Sequence, residues 1–176
     1  MKFSTALAAF LIMILLAACD NTERLLVGTS DNPVFADDFE WVVFNSEDGM
    51  FSAEFPAPPH AEVRDIPGGI ENRLTLYYTF NKDGKGGMLR ISYFDVPAAD
   101  MEGVSSAEIY DGVIQTMPAE VVVTGSESGQ VAGFETRMFK IDDMKTMMVL
   151  VENRLYMIYA GDDAVSTRFL ESFKPL

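Results

Sequence analysis

A single histidine, His60, bounds the acid–base chemistry open to this chain of 176 residues. Any serine or cysteine nucleophile that relies on an imidazole base must find it there. His60 follows Pro58-Pro59, a loop or strand-edge setting, and no Gly-x-Ser-x-Gly elbow occurs elsewhere, so an exposed loop histidine is the reading that follows. Histidine-based metal clusters are excluded by count. Methionine is plentiful, and Met138, Met144, Met147, Met148 and Met157 fall within adjacent expected strands, where soft thioethers could suit Cu(I). Strand neighbours point to opposite faces, however, so Met147 and Met148 cannot reach one ion without a bulge, and flexible core filler is preferred. Asn81-Lys82-Asp83-Gly84 starts like a calcium loop but lacks the further acidic ligands and terminal glutamate, and Lys82 and Lys85 would repel the ion. Gly84, Gly86 and Gly87 are irregularly spaced and precede no helix, which argues for a hairpin turn over a phosphate cradle. Asp142-Asp143 and Asp162-Asp163 read as turn and cap residues. No residue is therefore assigned to catalysis, metal or cofactor, and the chain is expected to be no enzyme.

The elements that would position such residues are mostly strands. Trp41–Phe44 and Met50–Phe55 flank Asn45-Ser46-Glu47-Asp48-Gly49, a hairpin pattern, and Pro56, Pro58 and Pro59 end the second strand because proline cannot donate to a ladder. Leu74, Leu76, Tyr78 and Phe80 alternate with polar or smaller partners at the period of a half-buried strand, and Leu89, Ile91 and Tyr93 supply a matching face after Met88. Ser105 followed by Glu108 is a capping box; Ile109, Tyr110, Val113, Ile114 and Met117 repeat at helical spacing until Pro118. Three or four strands are expected next, over 120–125, 133–141, 145–152 and 154–160, the last two joined through Glu152-Asn153-Arg154. Asp163 can cap a final helix that buries Phe169, Leu170 and Phe173 and is closed by Pro175. Strands that cluster without strand-helix-strand alternation predict an α+β domain, an antiparallel sheet flanked by helices.

Ahead of that domain, Lys2, the apolar stretch from Ala6 to Leu16, and Ala17-Ala18 follow the three-part plan of a secretory signal. The stretch is short of the roughly 20 residues that cross a bilayer. Leu16-Ala17-Ala18-Cys19 resembles the lipobox of bacterial lipoproteins, which implies cleavage between Ala18 and Cys19 and acylation of Cys19, palmitate included. Cys19 is the only cysteine, so lipidation leaves neither a free thiol nor a disulfide. Each buried methylene contributes about 0.8 kcal/mol, and stable attachment takes two anchoring signals, a requirement that the two or three chains of a lipoprotein meet. By the same resemblance, Asp20 favours the inner membrane, with the outer membrane as the other possibility. Residues 19–39, polar and turn-rich apart from Leu25-Leu26-Val27, read as a tether, and 40–176 as one domain. The formal charge of −14 becomes more negative still when Lys2 leaves with the signal, and such a surface repels phosphate backbones, so no nucleic acid partner is expected.

Phe51-Ser52-Ala53-Glu54-Phe55-Pro56 with Pro58-Pro59, Asn153-Arg154-Leu155-Tyr156-Met157-Ile158, and Phe169-Leu170-Glu171-Ser172-Phe173 resemble small bacterial envelope proteins with the PsbP-like fold, DcrB-like domains among them. The resemblance implies an α/β/α sandwich and a role as an assembly factor, accessory subunit or binding partner. It names no partner and carries over no ligand residue. Two functions follow as expectations: a membrane-anchored extracytoplasmic accessory factor that binds another envelope protein, or a periplasmic small-ligand-binding module. Tyr77, Tyr78, Tyr93, Tyr110, Tyr156 and Tyr159 would be the aromatic candidates for the second.

Overall fold

A computed structural model describes residues 39–65, 73–80 and 88–176. Signal, lipobox and tether up to residue 38, and the candidate calcium and glycine loop at 81–87, lie outside the described residues. Seven antiparallel strands make the central sheet, in the order β3-β4-β5-β9-β8-β7-β6: β3 His60–Asp65, β4 Arg73–Phe80, β5 Met88–Asp95, β6 Val123–Val131, β7 Phe134–Ile141, β8 Met144–Val151 and β9 Arg154–Ala160. A three-stranded sheet holds β1 Val42–Ser46, β2 Phe51–Phe55 and the two-residue β10 Lys174–Pro175 in the order β1-β2-β10. Among the described residues, three helices join the two sheets: α1 Ala98–Met101, α2 Ser106–Gln115 and α3 Ala164–Ser172. The α+β class read from the sequence is the class observed. Among the described residues, no helix is long and apolar enough to cross a membrane.

Alternation along β9 shows how the layers form. Leu155, Met157 and Tyr159 point into one core with Ile109, Tyr110 and Val113 of α2; Tyr156, Ile158 and Ala160 point into the other, with Phe51 and Phe55 of β2 and Phe169 of α3. β8 and β9 are thus buried on both faces, which is why they read as near-continuous apolar runs. The first core is rich in methionine, the second in aromatic rings. Arg90 is buried on the α2 side, its guanidinium 3.9 Å above the Tyr159 ring, a contact that offsets part of the cost of burying a charge.

Local chemistry explains the element ends. Ser105 accepts from the Glu108 N–H and the Glu108 carboxylate accepts from the Ser105 N–H at 2.9 Å, the expected capping box. Asp163 accepts from the Ser166 N–H at 2.7 Å and starts α3. In the β1–β2 turn, Gly49 donates to Ser46 Oγ, and a Cβ there would stand 2.6 Å from the Phe51 ring, so no larger residue fits without movement.

Several boundaries differ from those expected. The first strand runs Val42–Ser46, two residues beyond Phe44, because Asn45 and Ser46 pair with Ser52 and Phe51. The strand expected over 120–125 is instead Val123–Val131; its polar run from Thr124 to Gln130 is exposed on both faces and shows no alternation. Pro175 does not cap α3, which ends at Ser172; it lies in β10, opposite Phe51 of β2. β3 and α1 add elements that proline and short length conceal.

Candidate functional site

The sequence candidates do not converge. His60 is exposed at the first position of β3, across from Tyr78 in register. Met147 belongs to the aromatic core and Met148 to the methionine core, on opposite faces as expected. Asp142 takes the first position of a two-residue turn at φ 52, and Asp163 is the α3 cap. Asp162 has a use not foreseen: Lys140 and Lys145 reach it at 2.7 and 2.6 Å and hold its carboxyl down at about 2, mainly through their hydrogen bonds. Among the described residues, no group of three or more His, Cys, Asp or Glu could hold a metal ion.

A groove of about 370 Å³ lies instead where α2 meets the β6–β7 hairpin. Its walls are Ala107 and Tyr110 from α2, Ser128, Gly129 and Gln130 from β6, and Glu135, Thr136 and Arg137 from β7. Tyr110 is the hinge pin of this corner. The β7–β8 ladder starts at Thr136 opposite Val149, and just beyond it the Tyr110 hydroxyl donates to the Glu135 carbonyl and accepts from the Leu150 N–H, both at 2.8 Å. One phenol thereby satisfies two backbone groups that the diverging strands leave unpaired. Burial pushes its pKa up to about 12.

The charges around the groove are held by α2. Asp111 pairs with Arg137 at 3.1 Å, and Ser106 donates a short hydrogen bond to Glu135. Arg137 also donates to Ser126 Oγ at 3.2 Å, while its buried Nε has no hydrogen-bond partner. Ser128 lies opposite Arg137 and Gln130 opposite Glu135, so these four share the α2 face; Glu127, at odd spacing from them, falls on the other. Sequence reasoning missed this constellation. One signal was available: from Ile91 to Thr136 there is no lysine or arginine, against Asp95, Asp100, Glu102, Glu108, Asp111, Glu120, Glu127 and Glu135.

No protein-family model matches the chain, and no curated protein matches it. A solved structure does. The chain is similar to the solution structure of cyanobacterial PsbP (CyanoP) from Synechocystis sp. PCC 6803, over 85% of this chain and 99% of that one, with TM-score 0.47 and 8% identity. A likeness of that extent transfers no residue role to the groove.

Two other clefts have structural uses. One of about 220 Å³ adjoins Arg154, which grips Asp95 at 2.7 and 3.0 Å, donates to the Asp48 carbonyl and stacks on Tyr93, thereby joining three hairpins. The other, open and about 370 Å³, runs between α3 and the small sheet beside Arg168, which pairs with Glu54 at 2.8 Å and stacks on Trp41.

Proposed function

We propose that this chain is a membrane-anchored lipoprotein of the bacterial cell envelope whose α+β domain faces the periplasm as a noncatalytic interaction or assembly accessory factor. Cys19, acylated after cleavage behind Ala18, carries the anchor, and two or three acyl chains there meet the two-signal requirement for stable attachment. The observation that carries the interaction reading is β6: among the described residues it ends the central sheet, pairs on one side with β7, and exposes Thr124 to Gln130 beside an open groove. Exposed edges are normally blunted by lysine, proline, covering helices or short length. A nine-residue strand without lysine or proline is suited to recognition.

In-cell crosslinking of the full-length protein against Cys19→Ala, with intact mass read on each bait, tests the proposal. An acylated bait that captures a defined envelope protein, lost in Cys19→Ala, supports it. A bait without lipid removes the anchor, and an acylated bait that captures nothing removes the accessory role. The small-ligand alternative is favoured by groove volume alone, which reaches the lower range of ligand pockets. Its lining of Ser128, Gln130, Glu135 and Arg137 lacks the predominantly apolar walls of such pockets.

A further inference from the structure

Among the described residues, the two end strands of the central sheet, β3 and β6, are built differently. At one edge, β3 places His60, Glu62, Arg64 and Asp65 within six residues, a density of ionisable groups that discourages strand addition. At the other, β6 carries one ionisable residue, Glu127, in nine. A bulge between Thr124 and Glu127, with Gly125 at φ 66, kinks the first part of β6 away from regular pairing. From Glu127 to Val131 the register with β7 is unbroken, Glu127 opposite Met138 through Val131 opposite Phe134. Antiparallel pairing uses the N–H and C=O groups of alternate residues on each side, so this stretch offers a short regular row of outward backbone groups.

Charge selects what could lie along it. The β6–β7 hairpin has a carboxylate on each face: Glu135 of β7 beside the groove, where Ser106 also reaches it, and Glu127 of β6 on the opposite side. No cation arises from α1, α2 or β6, and the one arginine of the groove is already paired with Asp111. A second copy would bring the same acid-rich edge, and an anionic lipid surface would be repelled for the same reason. We propose that β6 from Glu127 to Val131 accepts an extended, lysine- or arginine-bearing segment of another protein by strand addition, with basic side chains meeting Glu127 and Glu135. This deepens the interaction reading above and rests on it.

The test uses the full-length protein in detergent and a capped peptide of alternating lysine and valine, with the same peptide carrying glutamate for lysine as control. Amide hydrogen exchange is followed over β6 and, as the reference edge, β3. The lysine peptide should slow exchange at 127–131 and leave 60–65 unchanged; the glutamate peptide should do neither. Glu127→Lys, an exposed change, should weaken peptide affinity about fivefold, on the scale of an exposed ion pair, and added salt should do the same. Glu135→Lys should add to the loss, while Glu127→Lys keeps the test decisive if freeing Ser106 disturbs α2. Equal protection by both peptides overturns the charge assignment, and protection at β3 or nowhere overturns the site. Concentration-dependent protection of β6 without peptide would make a second copy the occupant and also overturn it. If crosslinking captures a partner while β6 stays unprotected, this inference fails and the accessory reading survives; if nothing is captured, the broader reading is the one that fails.

Discussion

The two faces of the central sheet are packed by different means. On the α3 side, Phe51 touches Phe44, Tyr93, Tyr156 and Phe173 at ring-centroid distances of 5.8 to 6.5 Å, and Phe55 meets Phe169 at 5.0 Å. These rings come from β1, β2, β5, β9 and the end of α3, so the face cross-links distant parts of the chain. On the α2 side, Met148 and Met157 are fully buried, and Met101, Met117 and Met144 pack around them. Rings with two torsions, met here in tilted and edge-to-face pairs, specify one arrangement, whereas thioether chains adapt to their surroundings. The adaptable face lies beneath the helix that walls the proposed docking groove, and the rigid face lies behind it.

Truncation should expose the contrast most strongly. Phe51→Ala, which empties the hub of the aromatic face, is expected to cost about 3–5 kcal/mol in denaturant unfolding, whereas Met148→Ala on the other face should cost nearer the low end of about 2–5 kcal/mol, because neighbouring thioether chains can close on the gap. Equal losses would mean that the methionine face is as tightly specified as the aromatic one.

On each face a buried tyrosine serves the backbone, Tyr110 on one and Tyr156 on the other, and here the two should behave alike. Tyr156 donates to the Gly49 carbonyl at 2.7 Å, as Tyr110 does to Glu135. Tyr156→Phe or Tyr110→Phe leaves buried polar groups unpaired, at an expected cost of about 1–3 kcal/mol each. Burial raises both phenols to about 12, above the ordinary value of 10.0. The unfolded chain therefore releases these protons first, so stability should fall as pH rises from about 10 toward 12. Denaturation midpoints across that window should decline less steeply in either phenylalanine variant.

Legibility from sequence divides along similar lines. The two-sided apolar runs of β8 and β9, the Ser105–Glu108 capping box and the Asp163 cap are local signals, and each emerged close to its place. β6 was half-hidden because both its faces are wet, which removes the period-2 pattern that announces a strand. β10 exists only because Lys174 and Pro175 meet Ser52 and Phe51, a contact no local pattern encodes. The groove joins residues 107–110 to 128–137 through tertiary packing, and only the long absence of lysine and arginine hinted that this surface was distinct. Removing a cap is a correspondingly local event: Ser105→Ala should cost about 1 kcal/mol, and its unfolding curve should keep the wild-type slope because no core is opened.

The smallest expected effect concerns a charge cluster outside both cores. Lys140 of β7 and Lys145 of β8 converge on Asp162, just before α3, and all three side chains are partly exposed. Their hydrogen bonds lower Asp162 to about 2 from 3.8 and raise Lys140. Because the folded carboxyl is the stronger acid, its contribution is present above the unfolded pKa and fades as pH falls from about 4 toward 2. A carboxyl-carbon titration by NMR should place the Asp162 midpoint near 2 at low salt. Lys145→Ala should move that midpoint up, and salt should move it in the same direction by screening. A wild-type midpoint at the ordinary carboxylate value would mean that the cluster does not form in solution. The caps and cores would be untouched by that result, since none of their contacts passes through Asp162.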